Sequence, residues 1–448
     1  MSQSINQDFK FLSLLKFALP SMLMMMFLSC YTIVDGIFIS RFVGSNALSA
    51  VNIVYPMYNI LFAFGIMLAT GGSAVVAKKL GEGNAKKARE DFTFLVLTGF
   101  LISVCLSALV CLFTAQISKL LGASALLLPD CNAYLRTLYL FAPLAMLQEL
   151  FQAFFIAAEK PHLGLILTIF AGLANAMLDY LFLGVLHFGV EGAALATGIG
   201  QSIPALVGLV FFLRKKGTLF FVPFSPDLVS LRQASSNGAS EMVTNLSNGI
   251  ITYLFNIILM RLAGENGVAA ITILLYAQFL FNALYLGFSM GVAPLLSFQY
   301  GAKDGAKLKK LYQLSKRFVC ISSVAITLFS FLFSKNIAAV FVEKGSETYA
   351  LASSGFSIFC FGFLFSGYNI YSSALFTALS DGKTSAALSF TRTFALITFF
   401  LFTLPYLFGI HGVWLAIPVA EACSIFLSIF FQRRKLGRIW ALSADCYT

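Results

Sequence analysis

The sequence predicts an all-α polytopic membrane protein: twelve transmembrane helices in two six-helix lobes related by internal duplication. Three observations predict this fold class. Of the 448 residues, 59% are hydrophobic and only 11% are charged, with a mean hydropathy of +0.87. Soluble domains carry about 25% charged residues. Between short charged clusters, nearly every stretch is an apolar run of about 18 residues or more, enough to cross a bilayer. The chain also repeats itself at a spacing of 220 residues.

The spans are expected at 11–38, 50–77, 92–115, 133–156, 163–186, 191–213, 236–261, 268–299, 317–341, 350–377, 385–408 and 412–432. The first, FLSLLKFALPSMLMMMFLSCYTIVDGIFIS, carries Pro20, a methionine run that includes Met26, and one carboxylate, Asp35, with Tyr31 one turn earlier on the same face. It is too long for the apolar core of a signal peptide and has no small-residue cleavage site behind it.

Orientation follows from the basic residues. The termini and the loops after even-numbered spans, with their flanks, hold 24 of the 30 Lys and Arg residues, while Arg41, Lys119, Arg136, Arg261, Lys335 and Lys344 fall on the other side. Both termini are therefore expected in the cytoplasm. The net charge of +11 has the same origin, and no nucleic-acid motif accompanies it. The cysteines show no metal-ligand spacing and read as packing residues. The phenylalanines read as mostly lipid-facing, and His162, His187 and His411 as interfacial.

Sliding the chain on itself by 220 residues aligns Arg41 with Arg261, Gly44 with Gly264, Asn46 with Asn266 and Ala50 with Ala270. Gly71/Gly291, Gly81/Gly301, Gly189/Gly409, Gly192/Gly412 and Arg214/Arg434 follow in the same register. The expected division is a first lobe at 1–213, a basic linker at 214–232 and a second lobe at 233–448. Lobes of equal topology are related by an axis along the membrane normal, with a cavity between them.

Five carboxylates lie in span interiors: Asp35, Glu149, Asp179, Glu241 and Glu421. A charge there is costly, by about 2.5–3.5 kcal/mol on insertion scales, and marks a functional candidate. Four face no carboxylate at the matching position: Phe255 for Asp35, Asn369 for Glu149, Phe399 for Asp179 and Ser21 for Glu241. Glu421 matches Gln201. Asp179 has Asn175 one turn earlier, and Thr197 follows on the next span. An Asp, an Asn and a Thr offer oxygens to a sodium ion or hydrogen bonds to a protonated acid. Glu241, Glu149, Gln148 and Met26 are possible substrate or second-lobe contacts, and Arg392 reads as an interface anchor. No Walker motif, catalytic triad or metal-ligand set is present, so neither an enzyme nor a cofactor is expected.

The chain resembles the multidrug and toxic compound extrusion (MATE) transporters over its whole length, in the MepA-type or DinF-like bacterial branch. The resemblance rests on FALPS with YTIVDGIFI behind it, ATGGSAVVAKKLGEGNAKKA, NAMLDYLF, GVEGAALAT and GIHGVWLAIPVAEA. It implies an ion site in the first lobe at Asp35, Asn175, Asp179 and Thr197, with Tyr31 nearby and Pro20 as the bending point. A second-lobe site near Glu241 lacks the span 10 aspartate of another branch.

The expected function is secondary active efflux of amphipathic, mainly cationic, drug-like compounds in exchange for H+ or Na+. The setting is a monomer with both termini inside, in a bacterial cytoplasmic membrane. The rival is a flippase for a lipid-linked precursor, and acidic rather than basic groups within the spans argue against it.

Overall fold

The computed structural model describes residues 8–43 and 45–444, without the side chains of 31–41, 45–46, 48–49, 52, 265 and 437–444. Among the described residues the regular structure is helical throughout. In the first lobe, α1 is Phe11–Phe42, α2 Ser45–Gly81, α3 Ala85–Leu112, α4 Thr114–Leu120, α5 Leu128–Leu140, α6 Ala142–Ala157, α7 Pro161–Asp179 and α8 Gly189–Leu213. In the second, α9 is Leu228–Gly301, α10 Gly305–Leu332, α11 Ser334–Phe341, α12 Glu347–Phe359, α13 Phe363–Ala378, α14 Gly382–Phe390, α15 Ile397–Phe408 and α16 Ile410–Ala444.

Eleven of these helical stretches are long and apolar enough to cross a bilayer, and the pair α5 and α6, bent by 53°, makes a twelfth. Span 4 is thus a broken helix that begins earlier than expected, with Pro143 in the first turn of α6. α9 holds spans 7 and 8 together. The chain passes between them at Gly264, with φ 60 and ψ −150, a backbone conformation open to glycine. Span 7 also starts sooner than its expected limit. Asp227 caps it by accepting from the Val229 and Ser230 N–H groups, so the last five residues assigned to the linker are already helical.

The duplication is visible residue by residue. Asn84 caps α3 by accepting from the Lys87 N–H, and Asp304 caps α10 by accepting from the Lys307 N–H. The preceding residue has positive φ both times: Gly83 at 79° and Lys303 at 56°. Gly189 and Gly409 match likewise at 62° and 56°. The short helices α4 and α11 begin at Thr114 and Ser334, again one repeat apart.

The lobes meet tightly at the basic end. A Cβ on Gly81 would collide with the Phe298 carbonyl, and one on Gly301 with the Lys78 carbonyl, the same contact exchanged by the repeat. Gly71 likewise abuts Ala234 and Gly238, while Gly291 abuts Ala18. Small residues let helix backbones approach this closely within a membrane. Polar ties flank the seam. Lys87 Nζ lies 3.1 Å from Asp227 Oδ2, and Lys310 Nζ 2.7 Å from Asp8 Oδ1, each pair crossing between the lobes. Lys79 pairs with Asp91, and its ammonium reaches Ser230 Oγ at 2.8 Å.

Phenylalanine does more than face lipid. Phe92, Phe151, Phe154, Phe155 and Phe212 are fully buried and form the aromatic centre of lobe 1. Phe92 meets Phe154 edge-on at 4.9 Å, and Phe155 stacks on Phe212 at 5.3 Å. Each such pair contributes about 0.5–1.5 kcal/mol beyond burial. Met22 and Met24 are also buried, so part of the methionine run packs α1 against its neighbours.

Candidate functional site

In lobe 1, α7 and α8 bring three polar side chains together out of contact with solvent. Asp179 is 0% exposed, Asn175 2% and Thr197 6%. The Asn175 amide takes its orientation from these neighbours. With its nitrogen toward Asp179 it donates to Asp179 Oδ2 at 3.2 Å, and its oxygen accepts from the Thr197 N–H at 3.1 Å. Turned over, it keeps only a 3.5 Å contact with Thr197 Oγ1. We assign the first orientation because it satisfies both ends of the amide. The helix changes character right after Asp179: Tyr180–Val185 is a π-helical turn, a feature often found at functional positions.

In the assigned orientation the Asn175 amide nitrogen supports the Asp179 carboxylate, and the carboxylate oxygens, with the Thr197 hydroxyl nearby, suit a small hard cation or a proton. Asp35 and Tyr31 fall within α1, but their side chains lie outside the described residues. Pro20 is buried within the same helix, which continues through it. Having no N–H, it leaves the Lys16 carbonyl without its usual helical donor. The side chain of Met26 is half-buried.

A second polar feature of lobe 1 is a narrow cavity lined by Tyr58, Leu61, Phe62, Met146, Glu149 and Gln201. Glu149 is 9% exposed and Gln201 7%. The Gln201 amide nitrogen donates to Tyr58 Oη at 2.6 Å. Its Oε1 is buried with no hydrogen-bond partner, and the same holds for Oε1 of Gln148.

Lobe 2 departs from the sequence expectation. Arg392 is no interface anchor. It is 8% exposed, sits in a π-helical turn at Thr391–Leu396, and pairs through Nη1 with Glu421 Oε1 at 3.0 Å. Asn369 donates to the other carboxylate oxygen at 2.7 Å, and Ser428 donates to Asn369 at 2.9 Å. Glu241, on span 7, lies within electrostatic reach of the same guanidinium. The pair Arg392–Glu421, together with Tyr58 and Gln201, is what sequence reasoning missed. The available signal was the matched pair Glu149/Asn369 beside Gln201/Glu421, where acid and amide trade places between lobes.

A sequence model described as MatE matches residues 20–181 and again 242–403, once in each lobe. The multidrug export protein MepA of Staphylococcus haemolyticus is 26% identical over 442 residues, covering 96% of this chain and 94% of that protein. MepA of Staphylococcus saprophyticus is 23% identical over 437 residues, covering 95% of each. Among solved structures, an outward-facing multidrug resistance MATE family transporter of the MOP superfamily superposes with a TM-score of 0.90 at 20% identity, over 95% of this chain and 96% of that one. A MOP superfamily transporter from Pyrococcus furiosus gives 0.88 at 20% identity, with the same coverage. With the family's model matched in both halves and its fold shared over nearly the whole chain, this protein belongs to the MatE family.

Proposed function

We propose that the chain is a secondary active multidrug efflux antiporter, exporting amphipathic, mainly cationic organic compounds in exchange for H+ or Na+. The observation that carries this reading is the fully buried Asp179, bracketed by Asn175 and Thr197. An ionisable group held at such a depth is a functional candidate, and its role in this reading is to bind and release a small cation as the lobes rearrange. The site, at the end of α7, lies toward the end of the bundle opposite the glycine seam at the end of α2. With the basic end in the cytoplasm of a bacterial cell, this arrangement admits the ion from outside. Each charge moving inward down 100 mV supplies about 2.3 kcal/mol.

The name of the MepA relatives supports multidrug export as the activity. In the cycle we envisage, ion binding at Asp179 and Asp35 rearranges α1 near Pro20, the drug leaves outward, and the lobes then rock about their seam. The test is proteoliposome efflux of ethidium, with proton and sodium gradients imposed one at a time. One gradient should drive efflux in the unmodified protein and fail to do so in Asp179→Asn. Gradient-driven efflux surviving in that variant would end the proposal.

A further inference from the structure

We infer that the lobe 1 cavity at Glu149, Gln201 and Tyr58 recognises an organic cation whose head carries N–H donors, a guanidinium or amidinium. The inference deepens the transporter reading and rests on it for the origin of the cation.

The argument starts from the repeat. In lobe 2 a buried carboxylate on α16, Glu421, is held by an amide from α13, Asn369, and by the guanidinium of Arg392. One repeat earlier the same frame stands in lobe 1 with acid and amide exchanged: Glu149 on α6 and Gln201 on α8. The position matching Arg392 is Gly172. Lobe 2 therefore contains its own guanidinium, while lobe 1 keeps the acceptors and lacks the cation.

Partnering points the same way. Among the described residues, no hydrogen bond or ion pair reaches the carboxylate of Glu149, although it is 9% exposed. Gln201 directs its nitrogen to Tyr58 and leaves Oε1 buried and unpartnered beside the same cavity. The cavity thus offers one carboxyl group, which a bound cation would keep ionised, one neutral acceptor, and the rings of Tyr58 and Phe62. Charge-assisted N–H donation suits both acceptors, and the aromatic faces attract a cation. A quaternary ammonium satisfies the charge but leaves the amide oxygen bare.

The test is calorimetric binding of phenylguanidinium to the full chain in nanodiscs, with tetraphenylphosphonium as the cation lacking N–H donors. Glu149→Gln should weaken phenylguanidinium by about tenfold or more, the scale of a hydrogen bond to a charged group, and tetraphenylphosphonium by clearly less. Glu149→Asn combined with Gln201→Glu copies the order of lobe 2, and should recover most of the affinity that Glu149→Asn alone loses. Should the variants fold poorly, the unmodified protein serves: phenylguanidinium should slow carbodiimide labelling of Glu149, read by mass spectrometry. Unchanged affinity in Glu149→Gln, no recovery in the exchanged pair, or labelling indifferent to saturating phenylguanidinium would each overturn the inference. These are equilibrium measurements without an ion gradient. A failure of ion coupling therefore leaves them intact, and their failure leaves ion coupling intact.

Discussion

Gly301 sets its bare Cα against the carbonyl of Lys78, and Gly81 meets Phe298 in the same way from the other side of the seam. The obstacle to a side chain at either glycine is backbone, which cannot swing aside as a flexible side chain does. Gly81→Ala and Gly301→Ala should therefore destabilise the closed basic end. Overpacking typically costs about 1–3 kcal/mol, a five- to hundredfold shift between arrangements. Spin labels on Lys86→Cys and Lys309→Cys, both exposed, should report a larger population of long distances in either variant. An unchanged distance distribution would mean that the seam does not limit opening.

The tie between Lys87 and Asp227 responds to salt more than to pH. The Ser230 N–H, followed by Lys87, holds the Asp227 carboxyl below its ordinary range, and Asp227 holds the Lys87 ammonium above its own. The depressed acid stabilises the tie above the ordinary carboxylate value of 3.8, and that contribution fades as pH falls below it. The raised lysine stabilises it below 10.5, fading as pH rises further. From about pH 5 to 10 the pair stays charged, so a proton-driven cycle has its sensor elsewhere. Asp227→Asn keeps the helix cap and should cost only about 0.2–1 kcal/mol, less in high salt. Asp227→Ala also removes the cap and should cost about 0.5–2 kcal/mol more. Thermal melts at two salt concentrations separate the two effects.

Arg392 and Glu421 should behave as a unit. Removing one member of a buried pair leaves an uncompensated charge, at about 3–5 kcal/mol, whereas replacing both by neutral groups is often tolerated. Arg392→Leu or Glu421→Gln alone should lower the melting temperature markedly, and the double variant should regain much of the loss. Additive losses in that cycle would show that the two groups do not depend on each other.

Much of this was legible in the sequence because membranes restrict what a chain can do. Apolar runs, basic loops and a fixed repeat located the spans and paired the glycines Gly81 and Gly301 before any coordinate. Asn175 and Asp179 were legible because helical periodicity sets them one turn apart on one face, and Thr197 joined them through the family resemblance. Arg392 was not, since a span-borne arginine at a lipid interface and one buried against Glu421 look alike until the helices are packed. The broken span at α5 and α6 was hidden for a similar reason: its apolar run continues through the bend at Phe141. The phenylalanine centre of lobe 1 was equally invisible, because composition does not tell a ring facing lipid from one facing Phe92.

Thr197 offers the finest test of the ion site. Its backbone N–H holds the Asn175 oxygen, so the amide keeps its orientation toward Asp179 whatever the side chain at 197. Thr197→Val removes the hydroxyl at nearly constant shape, and Thr197→Ser retains it. If sodium is the coupling ion and the hydroxyl is one of its ligands, the valine variant should need about fivefold more sodium for half-maximal efflux, the scale of one lost hydrogen bond. The serine variant should stay near the original value. If the proton is the coupling ion, sodium should have no effect in any of the three proteins, and the valine variant should instead shift the pH at which efflux is half-maximal. A valine variant unchanged in both titrations would remove the Thr197 hydroxyl from the site and leave the Asn175 amide in place beside the Asp179 carboxyl.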